Sequence, residues 1–176
     1  MALLSNSSLN YDPTIREPDT QNGYLNTNFK LVFSRIPNVV FWCSSANIPS
    51  INVGEVTIPT GILPIHVPGS SIAYDRLRIT FAIDEEFSNW NEIHNWMRST
   101  TPFEDMTEVL RDSPNYYSDA TIICLNSAKR PNVRFNFQKV FPLDLDGFDL
   151  NVALSEPELV TVNATFMFDS MSIETI

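Results

Sequence analysis

Apolar residues at Leu77, Ile79, Phe81 and Ile83 alternate with Arg76, Arg78, Thr80 and Ala82, the period of a half-buried strand. Asp84, Glu85 and Glu86 end that run. Ser88 or Asn89 is placed to cap a helix, and Glu92 follows Asn89 by three residues as in a capping box. Trp90, Ile93, Trp96 and Met97 then recur at helical spacing, with Asn91, Glu92, His94, Asn95 and Arg98 on the other side. The pattern predicts a strand followed by an amphipathic helix lying on a sheet. Its core set is Leu77, Ile79, Phe81, Ile83, Trp90, Ile93 and Trp96.

Further strands follow the same logic. Phe29, Leu31 and Phe33 alternate with polar neighbours, and Val39 to Ser44 reads as a second strand after Pro37. Residues 48–70 carry Pro49, Pro59, Pro64 and Pro68 with three glycines, which excludes a central strand and suits an extended loop or edge hairpin. Its apolar residues, among them Ile58, Ile62, Leu63 and Ile65, are expected to reach onto a neighbouring subunit. Met106, Val109 and Leu110 suggest a short second helix. Ala120 to Leu125 is a strand apolar on both faces, and it pairs as a hairpin with the run holding Phe135, Phe137 and Phe141. A short strand is expected over Phe148 to Ala153. Val160, Val162, Ala164, Phe166 and Phe168 form one face of the last strand. Many strands, one helix and no βαβ rhythm predict a mainly β fold of two packed antiparallel sheets, a sandwich or partial barrel with one flanking α-helix. Residues 1–27, rich in Asn, Ser, Asp and Pro, read as an extended arm, and 28–176 as the folded domain.

Composition narrows the function. The formal charge of −10 argues against binding nucleic acid through phosphate neutralisation. The charge is also segregated: acids crowd residues 84–119 and 144–176, whereas 120–140 holds Lys129, Arg130, Arg134 and Lys139 with no acid. Opposite charge on opposite ends would steer head-to-tail stacking, with Lys129 and Arg130 as subunit contacts. No apolar run of membrane-spanning length occurs, and the first residues lack a signal peptide's basic region.

Candidate chemistry is sparse. Cys43 and Cys124 lie in separate apolar segments and read as buried thiols. His66 and His94 have no partner at metal-ligand spacing, so neither a metal nor a cofactor is expected. No phosphate loop or nucleophile elbow is present. Carboxylates such as Glu85, Glu86 and Asp119 are better explained by solvated turns than by a glycosidase pair, and no enzyme is expected. A carbohydrate-binding β-sandwich, using Tyr116 and Tyr117 to stack on sugar, is the alternative from another class.

The order of short motifs supplies a resemblance. Asn28-Phe29-Lys30-Leu31, Ile48-Pro49-Ser50, Val67-Pro68-Gly69 and Tyr74-Asp75 lead into Leu77-Arg78-Ile79-Thr80-Phe81. Ile83-Asp84-Glu85, Trp90 to Trp96, Tyr117-Ser118-Asp119-Ala120-Thr121, Leu125-Asn126 and Phe141-Pro142 follow. From Asn28 to Asp169 the chain resembles the tail-tube family of contractile-tailed bacteriophages, and it looks most like baseplate tube-initiator proteins. The resemblance implies a virion protein, assembled in the host cytoplasm, whose six subunits close a ring of the inner tail tube or its baseplate junction. Its implied partners are copies of itself, other tube, baseplate or sheath proteins, and double-stranded DNA passing without specific binding. The segment before Asn28 and the Pro-rich excursion fall outside the family pattern. Initiator, main tube subunit and tail terminator ring therefore stay open.

Overall fold

The computed structural model describes residues 23–100, 116–151 and 158–176. Its elements are β1 (Phe29–Phe33), α1 (Pro37–Trp42), β2 (Cys43–Ala46), β3 (Ile51–Ile58), β4 (Ile65–Tyr74) and β5 (Leu77–Ala82). They continue with α2 (Ser88–Thr100), β6 (Ser118–Leu125), β7 (Pro131–Leu145), β8 (Thr161–Met167) and β9 (Ser170–Thr175). The expected arm enters this description at Gly23, and the helix expected around Met106 lies outside it.

The fold is mainly β and antiparallel. Strands run β1-β6-β7-β8-β5-β2, with β9 also on β7. β7 belongs to two sheets: its first half pairs with β6 and β9, and its second half, Phe141 to Leu145, pairs with β8. The bend falls at Lys139, whose φ of 53° is left-handed. Its N–H donates to the Asp119 carboxylate at 3.2 Å, and the β6–β7 register shifts between Ser118 and Ala120. Such a bulge re-aims the strand. Phe137 is buried before it, whereas Val140 and Pro142 are buried after it and Phe141 is half-exposed. Period-two counting expected Phe141 to share a face with Phe137; the bulge flips the parity.

Between the sheets lie Leu31, Phe33, Ala120, Ile122 and Phe137 from one side and Leu77, Ile79, Phe81, Val162, Ala164 and Phe166 from the other. Helix α2 joins them through Ile93 and Trp96. The Trp96 ring lies 6.5 Å from Phe33 and 6.0 Å from Phe166, and Phe33 lies 5.2 Å from Phe166. One indole thus ties a strand of each sheet to the helix. Its N–H donates to the Tyr116 carbonyl at 3.0 Å, so burial leaves no polar orphan there. Trp90 sits half-buried at the core's margin, donating to the Asp146 carbonyl at 3.3 Å.

Three local expectations are corrected. Val39 to Ser44 is not one strand: Pro37 starts a short helix at the first-turn position that proline suits. Val39 is its buried residue, and only Cys43–Ala46 pairs with β5. The expected Asn89–Glu92 capping box does not form. Asn89 is fully buried, donates to the Ala82 carbonyl at 2.7 Å and accepts from the Asp84 and Trp90 N–H groups. The Asp84 carboxylate does the capping, accepting from the Ser88 hydroxyl and the Asn89 N–H, while Glu92 accepts from Asn38 of α1 at 2.7 Å. Residues 148–151 form no strand, and 152–153 lie outside the described residues.

Candidate assembly surfaces

The Pro-rich segment is a hairpin rather than a loop, and it runs four residues past the expected limit to Tyr74. β3 and β4 pair only with each other, forming a sheet of their own. Paired residues share a face. In the outer half, Val56 faces Val67 and Ile58 faces Ile65 on one side, while Thr57 faces His66 on the other. His66 Nδ1 lies 2.6 Å from Glu55 Oε1. The outer half is therefore amphipathic. Its pairing shifts between Val53 and Glu55, where a side chain at Gly69 would place its Cβ 2.6 Å from the Gly54 carbonyl oxygen. Only glycine fits that crossing.

At the tip Ile62 is 94% and Leu63 71% exposed, and Ile58 and Ile65 are also exposed. A lone two-stranded ribbon with an uncovered apolar face is marginal in water.

The basic turn is built differently from the sequence expectation. Asn126 organises it, its side chain accepting from the N–H groups of Ala128 at 2.9 Å and Arg130 at 3.0 Å. Lys129, with φ 60°, turns its ammonium inward to the buried Asn28 side chain. Arg134 pairs with Glu174 at 3.7 Å and Lys139 with Asp169 at 3.7 Å. Much of the basic block is thus matched by the chain's own C-terminal acids, because β9 lies beside β7. The expected separation of charge between two ends of the subunit does not hold for these residues. Arg130 stays exposed at the turn.

A second apolar surface escaped sequence reading. Trp42, Ile83, Phe87, Phe148, Leu150, Leu159 and Val160 line a groove of about 460 Å³ rimmed by Asp84, Glu85 and Glu158. Phe148 stacks on Phe87 at 5.6 Å and meets Trp90 edge-on at 6.1 Å. Leu150 is 78% and Leu159 67% exposed. Its signal was apolar residues scattered in acidic, non-periodic segments, which periodicity cannot register.

Asp119 is engaged by the Lys139 backbone, and no cluster of three metal-ligating side chains occurs among the described residues. Cys43 and Cys124 are free thiols, and burial pushes Cys43 up to about 11. Tyr117 packs edge-on against Phe141 at 5.9 Å and stays exposed, whereas Tyr116 is half-buried. No described helix is long and apolar enough to cross a membrane.

A bent two-sheet body with a helix against its core and a protruding ribbon defines the class as a tube-fold subunit. A family model described as phage tail tube protein matches residues 10–174, and the chain belongs to that family. It is 26% identical over 135 residues to the tail tube terminator protein of Enterobacteria phage T4, covering 74% of this chain and 75% of that one. Its fold is similar to the tube-terminating cap of the anti-feeding prophage, with TM-score 0.63, 17% identity and coverage of 94% and 99% of the two chains. It is also similar to the sheath/tube terminator of an extracellular contractile injection system, with TM-score 0.64, 14% identity and coverage of 88% and 98%.

Proposed function

We propose that this chain is a non-enzymatic virion protein that forms the ring terminating the inner tube of a contractile phage tail. The observation that carries this reading is the sequence relative: the T4 protein matched over three quarters of its length is a tail tube terminator. Fold likeness extends to a baseplate assembly as well, with TM-score 0.59, so the architecture suits either end of a tube. Sequence supports the terminator over the initiator that the motif order favoured.

The ring would hold six copies, joined in part through the hairpin residues Ile58, Ile62, Leu63 and Ile65, with Arg130 at the turn as a further contact. Closure into a ring leaves no strand edge open to aggregation. Tube and sheath subunits are the neighbours such a ring meets, and an acidic chain lets DNA pass without holding it. Negative-stain electron microscopy of the purified protein, alone and mixed with preformed tail tubes, tests the reading. Six-fold rings that cap one end of a tube and stop its growth support it. Long self-stacked tubes from this protein alone overturn it in favour of a main tube subunit.

A further inference from the structure

The two uncovered apolar surfaces lie at opposite ends of β5. The hairpin is rooted at its start, where the Asp75 N–H donates to the Ser50 carbonyl at 2.9 Å. The groove opens at its finish, where Ile83, Asp84 and Glu85 follow directly from Ala82. Six strand residues separate them, a span of about 20 Å. The exposure of Ile62 and Leu63 shows that the tip does not fill the groove of its own chain.

Charge selects what does. The rim of Asp84, Glu85 and Glu158 repels most of the surface of a second copy, since each chain carries a net charge of −10. From Val56 to Ile65 the hairpin has no charged side chain. It is apolar, projecting and narrow, and it meets the acids with nothing to repel. The aromatic floor of Trp42, Phe87 and Phe148 in turn needs an apolar occupant.

We infer that the Ile62–Leu63 tip of one copy docks in the groove of Trp42, Phe87, Phe148 and Leu150 on a second copy. The contact is head-to-tail, joining two different patches of the same chain, and closes into a ring when the rotation between copies allows. This inference rests on the ring reading above and names the surface that receives the hairpin.

The test places one cysteine on each surface, Ile62→Cys with Leu150→Cys, in a Cys43→Ser, Cys124→Ala background, and oxidises the assembled protein with copper phenanthroline. A ladder of covalent oligomers is expected on a non-reducing gel, with no species beyond dimer from either single cysteine. Rings on the grid without a ladder overturn the docking and leave the ring reading standing. Monomers throughout, with no ladder, overturn both. A monomer whose disulfide is internal places the tip in its own groove and overturns the docking. If the cysteine background fails to fold, hydrogen exchange on the otherwise natural chain replaces it. Ring formation is then expected to slow amide exchange at residues 148–151 by about tenfold or more, and Leu63→Asp to abolish that slowing. Equal exchange in rings and monomers overturns the docking.

Discussion

The backbone N–H of Lys139 donates to the carboxylate of Asp119 across the β6–β7 pair at 3.2 Å, at the residue whose φ of 53° bends β7 from one sheet into the other. A left-handed conformation costs a non-glycine residue about 1 kcal/mol, and the exposed Lys139–Asp169 pair recovers little of it. Lys139→Gly is therefore expected to be neutral or stabilising by up to about 1 kcal/mol. Asp119→Ala should cost about 1 kcal/mol. Urea unfolding of both variants checks the pair; equal losses in both would sink the account of the bend.

Asn89 offers a sharper test of how α2 is fixed. Its amide is fully buried and joins the Ala82 carbonyl to the Asp84 and Trp90 N–H groups. Asn89→Ala leaves those groups unpaired and should cost about 2 to 3 kcal/mol. A simple capping residue would lose about 1 kcal/mol, so the size of the loss in a denaturant midpoint separates the two roles.

The two indoles on one helix stripe are expected to differ. Trp96→Ala empties the site between Phe33 and Phe166 and should cost about 3 to 5 kcal/mol. Trp90, half-buried at the margin, should cost about 1 to 2 kcal/mol. Thermal unfolding of the two variants side by side decides whether the helix is held mainly from the centre.

Changes at the hairpin tip should separate stability from assembly. Ile62→Glu sits in solvent in the free chain, so its unfolding midpoint should move by less than about 0.5 kcal/mol. Ring formation, followed by light scattering, should fail. Normal rings from this variant would remove the tip from the contact set.

Burial holds the Cys43 thiol neutral, with its pKa raised from 9.0 to about 11. As pH rises past 9.0 the unfolded thiol ionises first, so the unfolded chain binds fewer protons than the folded one and stability falls until the folded value is passed. Wild type should lose stability more steeply than Cys43→Ser between pH 8.5 and about 10.5. Parallel slopes would show that the thiol is solvated.

Periodicity made the strands legible. Leu77 to Phe81 and Thr161 to Met167 alternate because each has one face in the core, and α2 repeats its apolar residues every three or four positions for the same reason. The resemblance to the tail-tube family was legible in the order of short motifs. The breaks in pattern were not. Pro37 reads as a boundary from sequence, but whether the chain beyond it coils or extends depends on Val39 finding a buried site beneath α1. Lys139 carries no mark of the left-handed turn that flips β7, since Asp119, which holds it, is twenty residues away.

The assembly surfaces divide in the same way. Sequence alone determined that a proline-rich segment carrying apolar residues lay between the early strands and β5, because composition is local. That the basic residues Lys129, Arg134 and Lys139 are turned to Asn28, Glu174 and Asp169 was decided by tertiary structure, which laid β1 beside β6 and β9 against β7. The groove is likewise a product of folding: Trp42, Phe87, Phe148 and Leu159 come from four separate segments. Contacts between distant segments depend on strand pairing and packing, and no local pattern of polarity encodes them.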